Sequence, residues 1–258
     1  MMAGDLEEYL RPGVKTPFCP GCADRILMRL ILRAIAELKI DIDRMLFVSG
    51  IGCGAWIPSP HFNADTLHTL HGRAIAFATG AKLFNPELIT MVVSGDGDLA
   101  AIGGNHLIHA ARRNTDLTVI CVNNMVYGMT GGQVSPATPL GIFTATTLEG
   151  NPERPFDLCK LVAAAGAQYV ARYSVGQPAS LVSSIKRGLE TPGFSFIEVI
   201  SPCHTQFGRR NRLDTAAETM RFFAEKCVMR EEAEGLSPKE LRDKIITGEF
   251  SNGRDQAD

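Results

Sequence analysis

The sequence predicts an α/β fold: a parallel sheet with helices on both faces. Three observations carry that expectation. Short β-branched runs alternate with amphipathic helical stretches from residue 23 to residue 200, and this β-then-α order builds parallel sheets that are covered on both sides. Four of the runs, ending near residues 49, 94, 122 and 200, pass straight into segments of unusual chemistry: GIGCG, GDGD, NNMVYGMTGGQ and SPCHTQ. The 258 residues are 45% hydrophobic and 21% charged, the balance of an ordinary globular chain able to bury one large core, with or without an appendage.

The first helix is expected over residues 23–38, where Ile26, Leu27, Leu30, Ile31, Ala34, Ile35 and Leu38 recur at helical spacing and Asp24 sits near the positive end of the helix dipole. Residues 45–49 (MLFVS) read as a buried strand, and the following GIGCGAWIPSP is too rich in Gly and Pro to be regular. An Ala-rich helix over 73–84 precedes a strand over 88–94. A helix over 99–112 then leads to a strand over 117–122. A helix near 156–165, a strand over 168–172, a helix over 178–190 and a strand over 194–200 complete the alternation. We expect one domain over residues 1–211 and a charged, helical C-terminal extension over 212–258, whose polar end (GEFSNGRDQAD) is expected to be mobile.

Composition excludes several partners. A net charge of −2 with interspersed signs offers no field for nucleic acid. No apolar run approaches the roughly 18–20 residues of a membrane span, and the N-terminus MMAGDLEEYLRPG is acidic where a secretory signal would be basic and then apolar. A cytoplasmic protein is expected. Its seven cysteines are then better suited to metal or redox chemistry than to disulfides.

In an open parallel sheet, ligands bind beyond the carboxyl ends of the strands, so the four unusual loops are expected to build one site. Within GDGD, Asp96 can ligate a hard divalent cation, while the flanking glycines let the backbone turn sharply beside a phosphate. The start of the next helix offers free N–H groups to an anion. Mg²⁺ would need a further oxygen ligand, and Asn123-Asn124 follows the next strand, separated from Gly97 by the 25 residues 98–122. Taken singly, a GDG can be a plain strand-to-helix turn and Asn-Asn a pair of turn formers. The two together, one βαβ unit apart, are more specific.

That spacing, GDG and then NN, resembles the signature of thiamine-diphosphate enzymes. The resemblance implies the fold of their diphosphate-binding (PP-type) domain. It assigns Asp96, Asn124 and the main-chain carbonyl of Val126 to Mg²⁺, and it sets Gly97, Asp98, Gly128 and Met129 against the diphosphate. CPGC at 19–22, GIGC at 50–53, HGRAIAFATG at 71–80, GDGDLAAIGGNHLIHAARRN at 95–114 and NNMVYGMTGGQVSPATP at 123–139 narrow it further. Over residues 17–211 the chain resembles the β subunit of 2-oxoacid:ferredoxin oxidoreductases. Ile51, Gly52, Cys53 and Gly54 then also line the cofactor, and His71, which alone would read as a structural histidine, lies against the diphosphate. His61, His68, His106, His109 and His204 have weaker claims. GIGCG also hints at a nicotinamide-binding turn, but no helix pattern follows it and the full G-x-G-x-x-G is missing.

Cys19 and Cys22 precede the first helix, and Cys53 and Cys203 each follow a strand on the same sheet edge. Four such thiolates suit an iron–sulfur cluster or a structural zinc equally, and C-x-x-C can also be simply redox-active. The resemblance selects a [4Fe-4S] cluster. Cys121, Cys159 and Cys227 read as core thiols.

The resemblance further implies oxidative decarboxylation of a 2-oxoacid with coenzyme A and ferredoxin, in either direction. Only one of the two thiamine-binding domains fits in this chain, so the pyrimidine-binding domain with its activating Glu is expected on a separate α subunit. MTGGQVSPATP and SPCHTQFGRRN look most like enzymes of 2-oxoglutarate; branched-chain 2-oxoacids and pyruvate are the alternatives. His204 stands where Pro is expected, and Arg209 and Arg210 read as surface arginines that can steer an anion. A non-redox thiamine lyase with a Cys₄ zinc site and an electron-transfer subunit without thiamine are the competing classes.

Overall fold

The computed structural model describes residues 3–252. After a 3₁₀ segment, Ala3–Tyr9, the chain runs α1 (Asp24–Leu38), β1 (Met45–Ser49), β2 (Asp65–His68), α2 (Ala74–Phe84), β3 (Ile89–Gly95), α3 (Gly104–Arg112) and β4 (Leu117–Asn123). It continues through β5 (Val126–Tyr127), β6 (Gln133–Val134), α4 (Leu158–Ala164), β7 (Tyr169–Ser174), α5 (Pro178–Glu190) and β8 (Phe194–Ile200). The C-terminal segment adds α6 (Ala216–Lys226), β9 (Cys227–Met229), α7 (Arg230–Ala233), α8 (Pro238–Leu241) and β10 (Ile245–Asn252). No helix among the described residues is long and apolar enough to cross a membrane.

Eight strands form one sheet in the order β2-β1-β3-β4-β8-β7-β10-β9. The first six run parallel to one another, whereas β10 pairs antiparallel with β7 and β9 parallel with β10. Central strands β4 and β8 are buried at all seven positions, as continuous apolar runs require when both faces are covered. One core layer joins α1 and α5 to the sheet through Leu27, Ile31, Ile35, Leu181 and Ile185. The other joins α2, α3 and α4 to it through Ala78, Leu107, Ala111, Leu158 and Val162. Local signals set the ends: Lys39 closes α1 in the left-handed conformation, Asp157 caps α4, Pro178 opens α5, and Thr215 and Glu218 form a capping box on α6.

Four differences from the expected elements are physical. Ile26 lies outside the buried stripe of α1, at 43% exposure. β2 is an additional edge strand whose residues, Asp-Thr-Leu-His, carry no apolar alternation. The helix expected over 99–112 starts at Gly97 as a wider, π-type turn to Ile102 and becomes α-helical at Gly104. The C-terminal segment is helical over α6, but Gly248–Asn252, expected as the start of a mobile tail, belong to β10 and hydrogen-bond along β7. The rest of that tail lies outside the described residues.

Candidate active site

β1 leads to β2 on one side of the sheet, while β3 and β4 lie on the other side of β1. This is a topological switch point, where the loops leaving neighbouring carboxyl ends part and open a crevice. The loops after β1, β3, β4 and β8 carry the residues singled out above.

Asp98, just after β3, ties that loop to the loops after β1 and β2. Its carboxylate is 2% exposed. Oδ1 accepts from the main-chain N–H of Ile51 (3.1 Å) and of Gly72 (2.8 Å), and Oδ2 accepts from Ser94 Oγ (2.8 Å). His71 Nδ1 also bonds to Oδ1. The side chain of Asp98 is thus engaged by protein, as is its carbonyl, which accepts from the Gly103 N–H at 3.1 Å. His71, with Nδ1 committed, stands edge-on to Tyr127 with ring centroids 6.1 Å apart. Tyr127 in turn donates to the Gly97 carbonyl at 3.1 Å. It packs so closely that a Cβ on Gly97 would lie 2.5 Å from Cζ of the ring, which explains the glycine.

Asp96 and Asn124 come together. Asp96 is 1% exposed; burial pushes its carboxyl up to about 7, against the hydroxyl of Ser135 and the main-chain N–H groups of Asn124 and Gly97, which favour its charge. Asn124 is buried too, and its Oδ1 accepts from the Val126 N–H at 3.2 Å. Met125 between them has φ +63°, a left-handed turn held by Asn123 Oδ1, which accepts from the Met125 N–H at 3.0 Å, and by Thr138, whose hydroxyl donates to the Met125 carbonyl. The β5–β6 hairpin then carries Gly128 and Met129 across the crevice mouth. Met129 and Ile51 are each nearly half exposed.

Cys19, Cys22, Cys53 and Cys203 line one cavity of about 430 Å³, together with Asn124, Gly128 and Met129. Cys22 donates its N–H to the Cys19 carbonyl at 3.0 Å, and Cys203 caps a wide turn by accepting from the Gln206 N–H at 3.4 Å. Burial raises the Cys22 thiol far above its usual range, with Asp24, Cys53 and Cys203 adding to the effect. Burial likewise pushes Cys53 up to about 12, helped by Asp24, Cys203 and Cys19. Cys22 and Cys53 are therefore held as neutral thiols, close enough to each other and to Cys203 to feel one another's charge. Among the described residues, no three His, Cys, Asp or Glu side chains converge closely enough to hold one metal ion; the thiols are spread around the cavity wall. A Cβ placed on Gly128 would stand 3.5 Å from Cys203 Sγ, 3.7 Å from Asn124 Nδ2 and 3.8 Å from Cys53 Sγ.

Most of the remaining residues fall elsewhere. Cys121 and Cys159 are fully buried and Cys227 half-buried. His61 bonds to the Trp56 carbonyl and stacks on Phe18, His68 bonds to Ser49, His106 to Arg73 and His109 to Arg112. His204 and Arg209 line the thiol cavity, whereas Arg210 bonds to the Gly131 carbonyl. Sequence reasoning missed Ser135, Tyr127 and Glu198. Ser135 and Tyr127 sit in a segment without periodicity, and nothing local marks them.

Residues 50–199 match the family model "Thiamine pyrophosphate enzyme, C-terminal TPP binding domain". The chain is 54% identical over 235 residues to 2-oxoglutarate synthase subunit KorB of Methanothermobacter thermautotrophicus, covering 91% of this chain and 82% of that one. It is 42% identical over 191 residues to 2-oxoacid:ferredoxin oxidoreductase subunit beta of Saccharolobus solfataricus, covering 73% and 62%. Among solved structures it superposes with a TM-score of 0.83 and 33% identity on a chain of the 2-oxoglutarate:ferredoxin oxidoreductase from Magnetococcus marinus, solved with 2-oxoglutarate, coenzyme A and succinyl-CoA bound, covering 95% of this chain and 84% of the other. With the signature residues gathered on one sheet edge, the chain belongs to the β-subunit family of the 2-oxoacid:ferredoxin oxidoreductases, within the thiamine pyrophosphate enzymes.

Proposed function

We propose that the chain is the thiamine-diphosphate- and [4Fe-4S]-carrying β subunit of an enzyme that oxidatively decarboxylates 2-oxoglutarate, passing the acyl group to coenzyme A and the electrons to ferredoxin, reversibly. The observation that carries this reading is the meeting at Gly128, where the amide of Asn124 and the sulfurs of Cys53 and Cys203 all approach one backbone position. A metal–diphosphate group and a thiol-bound cluster held there would be immediate neighbours. Electron transfer between them needs that proximity.

On this reading Asp96, Asn124 and the Val126 carbonyl hold Mg²⁺. The donors are hard oxygens, and burial leaves Asp96 short of a compensating positive charge. The main chain at Gly97, Asp98, Gly128 and Met129 receives the diphosphate, with residues 51–54 lining the cofactor. His71 turns Nε2 to the diphosphate because Nδ1 is held by Asp98. Cys19, Cys22, Cys53 and Cys203 hold the cluster; thiols spaced around a cavity of about 430 Å³ suit a multi-iron group. Thiamine diphosphate bound here would supply a carbanion for the substrate ketone and an electron sink when CO₂ leaves. The cluster would supply single-electron exchange with ferredoxin. A partner α subunit brings the pyrimidine-binding domain and the activating Glu, so the isolated chain is expected to be inactive.

The test is anaerobic copurification with the α subunit, followed by iron, sulfide and thiamine analysis and by ferredoxin reduction with several 2-oxoacids. About four irons and four sulfides per chain are expected for this cluster type, with 2-oxoglutarate as the preferred substrate. Zinc in place of iron would sink the redox reading, and a preference for pyruvate or branched-chain acids would sink the substrate assignment.

A further inference from the structure

A buried polar chain runs through the sheet behind the Asn124 loop. Glu198 on β8 is registered between Cys121 of β4 and Arg172 of β7, and is 2% exposed. One carboxylate oxygen, Oε1, accepts from Asn123 Nδ2 at 2.7 Å. The other, Oε2, accepts from Arg172 Nε at 2.7 Å and from Cys159 Sγ at 3.3 Å. Arg172 is itself fixed by Asp157 at 2.6 Å and by the Ile246 carbonyl of β10 at 3.2 Å. Asn123, its amide nitrogen given to Glu198, must present its oxygen to the Met125 N–H, and this bond holds the left-handed turn that sets Asn124 and Val126 in place.

We propose that Glu198, oriented by Arg172, is the positioning residue for the cation-binding turn: its carboxylate fixes which way the Asn123 amide faces and thereby the geometry of Asn124 and Val126 toward the metal. This rests on the cofactor reading above and adds a residue that touches neither metal nor diphosphate. The logic is one of polarity. Every partner of Glu198 is a donor, so a glutamine there must aim its NH₂ at another donor, either Asn123 or Arg172. If Asn123 flips to relieve the clash, it turns its own NH₂ toward the Met125 N–H and the turn loses its brace.

The polarity can be restored from the other side. In Asn123→Asp with Glu198→Gln, the new glutamine accepts from Arg172 and donates to the new aspartate, whose second oxygen still accepts from the Met125 N–H. The experiment titrates Mn²⁺ in the presence of thiamine diphosphate, by EPR, into the full chain copurified with its α subunit, with iron content and melting temperature followed alongside. Glu198→Gln should weaken Mn²⁺ binding about 10–100-fold, the usual effect of losing an outer-shell partner, with iron retained. The double variant should return to within about threefold of wild type, because the pair acts as a unit. Wild-type affinity in folded Glu198→Gln would overturn the proposal. So would a folded double variant that binds as weakly as a single one, and this arm decides alone should Glu198→Gln fail to fold. If wild type and Asp96→Asn bind Mn²⁺ alike, the cofactor reading itself falls, and the role of Glu198 with it.

Discussion

Gly50→Ala tests whether the Asp98 carboxylate is the fixed point on which the loops after β1, β2 and β3 are hung. The backbone at Gly50 lies outside the left-handed region, so alanine is not excluded by φ. What excludes it is space: a Cβ there would stand 2.5 Å from Asp98 Cγ and 2.6 Å from Oδ1, and would meet Oδ2 as well. Asp98 cannot swing aside freely, because Ile51, Gly72, Ser94 and His71 all donate to it in a buried setting. Breaking two such bonds to a charged acceptor, at about 1.5–3 kcal/mol each, gives a loss of about 3–6 kcal/mol, a large share of the roughly 5–15 kcal/mol that holds a domain folded. Urea unfolding followed by the fluorescence of Trp56, the single tryptophan, measures it. All three crowding atoms belong to Asp98, so in an Asp98→Ala background Gly50→Ala should cost under about 1 kcal/mol, a strong coupling in the double-mutant cycle. Equal cost in both backgrounds would refute the reasoning.

Gly80→Ala, in α2 with open space where the Cβ would go, should stabilise the chain by about 0.5–1 kcal/mol, seen as a higher melting temperature. For Asp157, burial raises the carboxyl, but the Arg172 charge and hydrogen bond outweigh it, and the folded group titrates below the usual 3.8. A depressed folded pKa gives stability that is present above the unfolded value and lost as pH falls through the folded one. Asp157→Asn keeps the α4 cap but not the charge. At an aspartate 35% exposed it should cost about 1 kcal/mol at neutral pH, and urea midpoints of the two proteins should converge as pH falls below about 4. Cys203→Ala should strip iron from the anaerobically purified complex, while Cys121→Ala, deep in β4, should leave it unchanged; equal iron in both would remove Cys203 from the ligand set.

The elements that were legible in the sequence are those whose burial is two-sided. β4 (LTVICVN) and β8 (FSFIEVI) are nearly unbroken apolar runs and fell where expected. β2 and β10 were not legible, because an edge strand is defined by the neighbour it pairs with. Asp-Thr-Leu-His is mostly exposed, and β10 contains Gly248 at φ +129° and a register shift between Glu249 and Ser251. In the candidate site, the meeting of Asp96 with Asn124 and the gathering of the four cysteines around one cavity were legible, because each follows from loops leaving one sheet edge. The division of labour was not. Asp98 and Asn123 look like ligand residues in the motif, yet the Asp98 side chain serves the loops after β1 and β2, and that of Asn123 serves β8 and its own turn. Glu198 looks like an ordinary alternation in a strand until register sets it against Arg172, 26 residues earlier.

The antiparallel seam between β7 and β10 has a consequence during synthesis. Seventy residues, 175 to 244, separate the two strands, so at roughly 5–20 residues per second β7 leaves the ribosome on the order of ten seconds before its outer neighbour exists. Throughout that interval one flank of the nascent sheet bears unpaired amides and carbonyls, open to any extended peptide nearby. The step most exposed to chaperone demand, and to overexpression at high temperature, is therefore the sealing of that flank.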